Sequence, residues 1–109
     1  MLTVHLLNAV KKAPIGSAGS SDVERGFDVR IETRPGLRAY RVSIAWTPNG
    51  WRTVTYTPCD LVEVRNDADI WAASMSYYST PQISFYYAVA AAGPDGISWD
   101  NNHGWNYQI

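Results

Sequence analysis

Ser98-Trp99-Asp100-Asn101-Asn102-His103-Gly104-Trp105-Asn106-Tyr107 concentrates the side chains of this sequence best suited to recognition chemistry. It holds two of the five tryptophans and three asparagines within ten residues. An indole offers a large flat apolar face with a single polar N–H. An asparagine amide offers donors and an acceptor from one short group. Flat faces beside amides suit a ligand that is apolar on one side and hydroxylated at its rim, as a sugar ring is. Asn102-His103-Gly104 reads as a turn, since Asn tolerates left-handed backbone and closes Asx turns. That leaves Asn101 and Asn106 as the asparagines for ligand hydroxyls. Asp100 reads as a hydrogen-bond acceptor that orders the loop, and Tyr107 as packing inward with Ile109. Trp105 has two readings, either enlarging an aromatic platform or capping the fold.

Two further aromatics join this stretch. Trp51 follows Thr47-Pro48-Asn49-Gly50, which is turn chemistry, and a Trp leaving a turn is placed at the surface. Tyr86 falls on the face opposite Phe85 and Tyr87 by strict alternation, so it points outward if Ile83, Phe85, Tyr87 and Val89 are core. Trp46, Trp71 and Phe85 read as core.

Covalent and metal chemistry find little support. His5 and His103 lie far apart, with no Cys or carboxylate at metal-ligand spacing. Cys59 has no basic neighbour to lower its pKa. Asp67 and Asp69 read as a solvated turn. There is no Gly-rich phosphate loop, and a chain of this size leaves little room for the cleft of a glycosidase. The sequence therefore predicts neither an enzyme nor a cofactor.

The elements that must position these residues are strands. Leu2, Val4 and Leu6 alternate with Thr3 and His5; Phe27, Val29, Ile31 and Thr33 alternate with a charged face; Tyr40, Val42, Ile44 and Trp46 form a third alternating run. Val54–Tyr56 and Leu61–Val64 are weaker strands separated by Pro58. Ile70–Tyr78 carries apolar residues on both faces. Ile83–Val89 is the next strand, and Ile97–Trp99 and Asn106–Ile109 are short terminal ones. Turns fall at Pro35-Gly36, Asn66–Asp69 and Gly93–Gly96, and Gly16–Ser21 reads as a loop. No window has helical period. Seven or eight short strands at this spacing predict an all-β antiparallel sandwich, as one domain over residues 1–109.

Composition narrows the partners. The net charge is -1 with no charge block, which argues against nucleic acid or an anionic membrane surface. No apolar run approaches a membrane span. The single cysteine excludes an intrachain disulfide. The apolar N-terminus lacks a basic start and reads as a strand rather than a signal peptide, which would place this sequence, as a full-length chain, in the cytoplasm.

Trp99-Asp100-Asn101-Asn102, then Gly104, then Asn106-Tyr107 resembles the C-terminal signature of starch-binding carbohydrate-binding modules of family 21, found in fungal amylases and in glycogen-targeting phosphatase subunits; plant modules of family 53 carry a related motif. The signature fixes seven positions over nine residues. Ala45–Thr53 is similar to the family's strand, turn and Trp segment, and Ser84–Val89 to the strand before the signature. The likeness runs from Phe27 to Ile109. It implies an immunoglobulin-like sandwich that binds α-glucan (glycogen, starch or malto-oligosaccharides) without catalysis, alone or tethered to an enzyme. It also implies that residues at Trp51, Tyr86 and Trp99 stack on glucose while Asn101 and Asn106 hydrogen-bond it. The family often has a Lys where this chain has Ala88, which removes one polar contact. Arg41-Val42-Ser43-Ile44 lacks the aromatic of a phosphatase-docking segment, so no phosphatase contact is expected. A second function class competes with this one, because exposed aromatics also mark protein-interaction surfaces.

Overall fold

A computed structural model of the chain describes residues 4–16, 23–79 and 83–109. These residues form two antiparallel sheets packed face to face as a β-sandwich, with no α-helix among them. The first sheet comprises β1 (Val4–Lys11), the two-residue β2 (Ile15–Gly16), β3 (Val23–Thr33), β6 (Asp60–Val64) and β7 (Asp69–Ser79), in the order β1-β3-β7-β6 with β2 beside β3. The second comprises β4 (Arg41–Thr47), β5 (Thr55–Pro58), β8 (Tyr86–Gly93), β9 (Gly96–Asp100) and β10 (Tyr107–Gln108), in the order β10-β8-β4-β5 with β9 also beside β8.

Alternation decides which side chains enter the core. On β3, Phe27, Val29 and Ile31 are buried while Asp28 and Arg30 are exposed, the outcome expected of a half-buried strand. The core between the sheets is aromatic. Phe27 packs against Tyr87 at 4.9 Å, Phe85 at 5.1 Å and Trp46 at 6.1 Å between ring centroids. Both core tryptophans find an acceptor for the indole N–H. Trp46 Nε1 donates to Thr57 Oγ1 and Trp71 Nε1 to Thr33 Oγ1, each at 2.9 Å, so their burial leaves no orphan donor.

Some boundaries differ from the sequence expectation. Ten strands are present among the described residues rather than seven or eight; the two-residue β2 is too short to register as a pattern, while β10 falls within the strand expected over Asn106–Ile109. Pro58 ends β5 rather than separating two strands, as an edge position tolerates a missing N–H. The strand expected from Ile83 begins at Tyr86; ahead of it, Phe85 and Ile109 exchange backbone hydrogen bonds at 2.8 and 2.9 Å. Leu2, and all of Gly16–Ser21 except Gly16, lie outside the described residues. Pro35-Gly36 does turn the chain, as a single 3₁₀ turn over Pro35–Leu37. The tight approach of this turn to the second sheet explains Gly93: a Cβ there would sit 2.3 Å from the Leu37 carbonyl oxygen.

Candidate functional site

The second sheet turns a trough outward. Its floor belongs to the two central strands, where side chains alternate between core and solvent. Tyr87 and Val89 of β8 point inward, so Ala88 and Ala90 point outward; Ile44 and Trp46 of β4 point inward, so Ala45 and Ser43 point outward. Register aligns these small residues across the sheet. Ala88 pairs with Ala45, and Ala45 with Tyr56 on β5; Ala90 pairs with Ser43 on one side and Trp99 of β9 on the other. Small residues on the floor and large rings on the flanking strands leave a cavity of about 470 Å³ lined by Ala45, Trp51, Val54, Tyr56, Ala88, Trp99, Asn101 and Asn106.

Trp51 reaches the cavity through an unusual backbone. Its φ is 71°, in the left-handed region that disfavours bulky side chains and costs on the order of 1–3 kcal/mol. Thr47 holds it there. This threonine is fully buried, and its Oγ1 accepts from the backbone N–H groups of Trp51 at 3.0 Å and Asn49 at 3.3 Å. The Thr47 hydroxyl donates in turn to Asn49 Oδ1 at 2.9 Å, and Asn49 clasps Thr53, with Nδ2 to Oγ1 at 2.9 Å and Thr53 N to Oδ1 at 3.0 Å. The turn is tied shut, and Trp51 is left 37% exposed.

The opposite rim is the loop from Asp100 to Asn106. Asp100 is buried, only 3% exposed, and takes the role expected of it. Its carboxylate accepts from Leu6 N at 2.8 Å, Asn102 N at 3.3 Å and the Tyr107 hydroxyl, which lies 2.8 Å from both oxygens. Tyr107 stacks on Tyr87 with ring centroids 5.4 Å apart, so the loop is bolted to the core at its far end. Asn102, His103 and Gly104 form the expected left-handed turn, with φ of 55°, 58° and 92°. Asn101 O accepts from Asn106 N at 2.8 Å, and Asn101 Oδ1 from Gly104 N at 3.0 Å. Half of the Asn101 amide therefore builds the loop, leaving its Nδ2 to donate outward. The Asn106 backbone is held by Asn101 O and by Asn102 Nδ2, which donates to Asn106 O at 3.2 Å, while its side-chain amide makes no hydrogen bond among the described residues.

Four of the five residues singled out from the sequence thus line one cavity: Trp51, Trp99, Asn101 and Asn106. Tyr86 does not line it. It is half-buried on the same outer face, one outward position beyond Ala88, between Thr47 and Gln108 in neighbouring strands. Trp105 neither lines the cavity nor caps the sandwich; it is 83% exposed at the loop tip. Sequence reasoning missed Tyr56 and Val54. Tyr56 is 65% exposed and stands across the floor from Trp99's side of the trough. Its signal was local, an aromatic between Thr55 and Thr57 in a weak strand, but its partners lie across the β4 and β8 registers.

The cavity lining contains no carboxylate, lysine, arginine, histidine or cysteine. The outer face of the first sheet contrasts with it, since its groove is lined by Asp28, Arg30 and Asp60. Among the described residues no group of three or more His, Cys, Asp or Glu side chains converges as a metal site would require. Cys59 is buried, and burial, with Asp60 nearby, pushes its thiol up to about 12, which keeps it protonated and unreactive at neutral pH.

No protein-family model and no curated protein matches the sequence. Among solved structures, the chain is similar to the solution structure of the carbohydrate binding module of the muscle glycogen-targeting subunit of Protein Phosphatase-1, with a TM-score of 0.59 at 15% identity over 92% of this chain and 73% of that one. At this identity the likeness is one of fold: the chain's β-sandwich resembles that of this carbohydrate binding module.

Proposed function

We propose that the chain is a non-catalytic carbohydrate-binding module for α-glucan, glycogen or starch, and that Trp51, Trp99, Asn101 and Asn106 bind the sugar. The observation that carries this reading is the uncharged cavity in which two indoles and two asparagine amides meet over an alanine floor. Exposed rings can stack on glucose faces while the amides take the hydroxyl rim, and a lining without charge suits a neutral ligand. Tyr56 adds a third ring on the opposite wall, and Tyr86 extends the same face. The fold shared with a module from a glycogen-targeting subunit supports the same ligand class. Two or three stacking contacts, after ordering costs, give micromolar to millimolar affinity at one site. Such sites act through multivalency or through a tethered enzyme. A lining without a carboxylate pair supports binding over hydrolysis.

Trp105 favours a second reading, a protein-interaction face, because it is exposed and lies outside the cavity. Retardation in a native gel containing glycogen or soluble starch separates the two. Retardation that Trp51→Ala and Trp99→Ala abolish, with no release of reducing sugar, supports the glucan module. Unretarded migration of the folded wild-type chain defeats it.

A further inference from the structure

The trough does not end at the Trp51 cavity. A second cavity of about 140 Å³ continues along the same outer face, lined by Arg41, Ser43, Ala90, Ala92 and Ile97 together with Tyr56 and Trp99. Tyr56 and Trp99 belong to both cavities, so the two spaces adjoin at this pair of rings. The floor is unbroken. Outward positions on β8 run Ala88, Ala90, Ala92, and those on β4 run Ala45, Ser43, Arg41. Every one except the terminal Arg41 is small. From Ala88 to Ala92 the floor covers about 13 Å at a strand's rise per residue. The walls stand on β5 and β9, three strand spacings or about 14 Å apart.

We infer that this trough is a lengthwise seat for one linear glucan chain, running along β4 and β8 from the Asn101–Asn106 loop, between Tyr56 and Trp99, to Arg41 and Ile97. This rests on the α-glucan reading above and adds a ligand class to it: long linear chains in preference to short or ring-shaped oligosaccharides. Two features carry it. Continuity of the small-residue floor lets a chain sink between rings on opposite walls instead of lying on one ring. The exposed Ile97, 60% accessible, and Arg41 at the far end offer an apolar face and guanidinium donors to sugar units beyond Trp99. The Ala residues are what make the seat, since any longer side chain on this floor would occupy it.

The test is a calorimetric titration with linear malto-oligosaccharides of increasing length and with β-cyclodextrin, on the wild type and on Ala92→Met. Ala92 lies in the second cavity alone, so methionine fills that half and leaves Trp51, Asn101 and Asn106 untouched. We expect wild-type affinity to climb roughly tenfold with length until the chain spans both cavities, the scale of one added stacking contact. The ring should bind no better than a short chain, and Ala92→Met should keep short-chain affinity but lose the climb. Ser43→Met blocks the same half from β4 and serves if Ala92→Met does not fold. A length-independent affinity, or a climb that survives both methionines, overturns the seat while leaving the α-glucan module standing. Failure of the wild type to bind glucan of any length overturns the module itself.

Discussion

The buried hydroxyl of Thr47 accepts the backbone N–H of Trp51 at 3.0 Å and so fixes the indole's departure from the turn. A tryptophan with a φ of 71° persists only where its surroundings over-determine it. Thr47→Val is close in shape and removes the acceptor. It should leave the sandwich folded, with a stability loss of about 1–2 kcal/mol, and lower glucan affinity about fivefold by freeing the ring. Rescue by Thr47→Ser, which restores the hydroxyl, separates positioning from packing. Binding isotherms on the three proteins make the comparison.

The five tryptophans should divide by role. Trp51→Ala and Trp99→Ala should each cost about 1–3 kcal/mol of glucan binding with folding mostly retained, because both rings are over a third exposed. Trp46→Ala should destabilise the fold by about 3–5 kcal/mol, since its ring packs edge-on to Phe27 and Phe85 in the core. Denaturant melts set beside glucan affinity of the folded protein check this. Equal destabilisation by all three substitutions, with unchanged binding, would place Trp51 and Trp99 in structural roles.

Asp100 joins three elements. Replacing it by Ala leaves Leu6 N and the Tyr107 hydroxyl without their acceptor, which should cost about 2–4 kcal/mol. It should also release the Asn101–Asn106 rim, so glucan affinity per folded molecule falls as well. A variant that loses stability but binds glucan normally once folded would show that the rim holds without Asp100.

Alkaline pH should act on the same joint. Burial, with Asp100 nearby, raises the Tyr87 phenol from 10.0 to about 12. Burial, and then the hydrogen bond to Asp100, raises Tyr107 further still. A phenol whose pKa is higher folded than unfolded holds its proton more tightly in the native state. Its stabilising contribution is complete below pH ~10 and is lost as pH rises through the folded value. The contribution of these two phenols should therefore be lost above about pH 10, so stability should fall there, and Tyr107→Phe should reduce that slope. Thermal melts between pH 7 and 12 give the measurement.

Glucan binding should not depend on a metal, as the candidate lining is built from rings and amides. Affinity in EDTA should equal that in Ca²⁺; loss in EDTA with recovery in Ca²⁺ would contradict this.

Much of this was legible in the sequence, for physical reasons that can be named. Period-2 alternation on Phe27–Thr33 announced a half-buried strand, and the structure buries the apolar set. The surface placement of Trp51 was readable because a turn precedes it, and that of Trp99, Asn101 and Asn106 because polar neighbours keep that stretch out of a core. What stayed hidden depends on register. Tyr56 and the alanine floor matter only because Ala45 pairs with both Tyr56 and Ala88, and pairing between distant strands leaves no local pattern. The start of β8 was misplaced for a related reason: the alternation of Ile83 and Phe85 continues that of Tyr87 and Val89, although the ladder begins only at Tyr86. The same alternation that turned Tyr86 outward could not say that the cavity stops short of it.

The most direct measurement is titration of the isotope-labelled chain with maltoheptaose, following the five indole Nε1–H resonances. The Trp51 and Trp99 signals should shift together and saturably, with one dissociation constant, while those of Trp46 and Trp71, whose N–H groups are held by Thr57 and Thr33, stay in place. Resonances that do not move at saturating sugar, or shifts that spare both Trp51 and Trp99, would contradict a glucan site in this cavity.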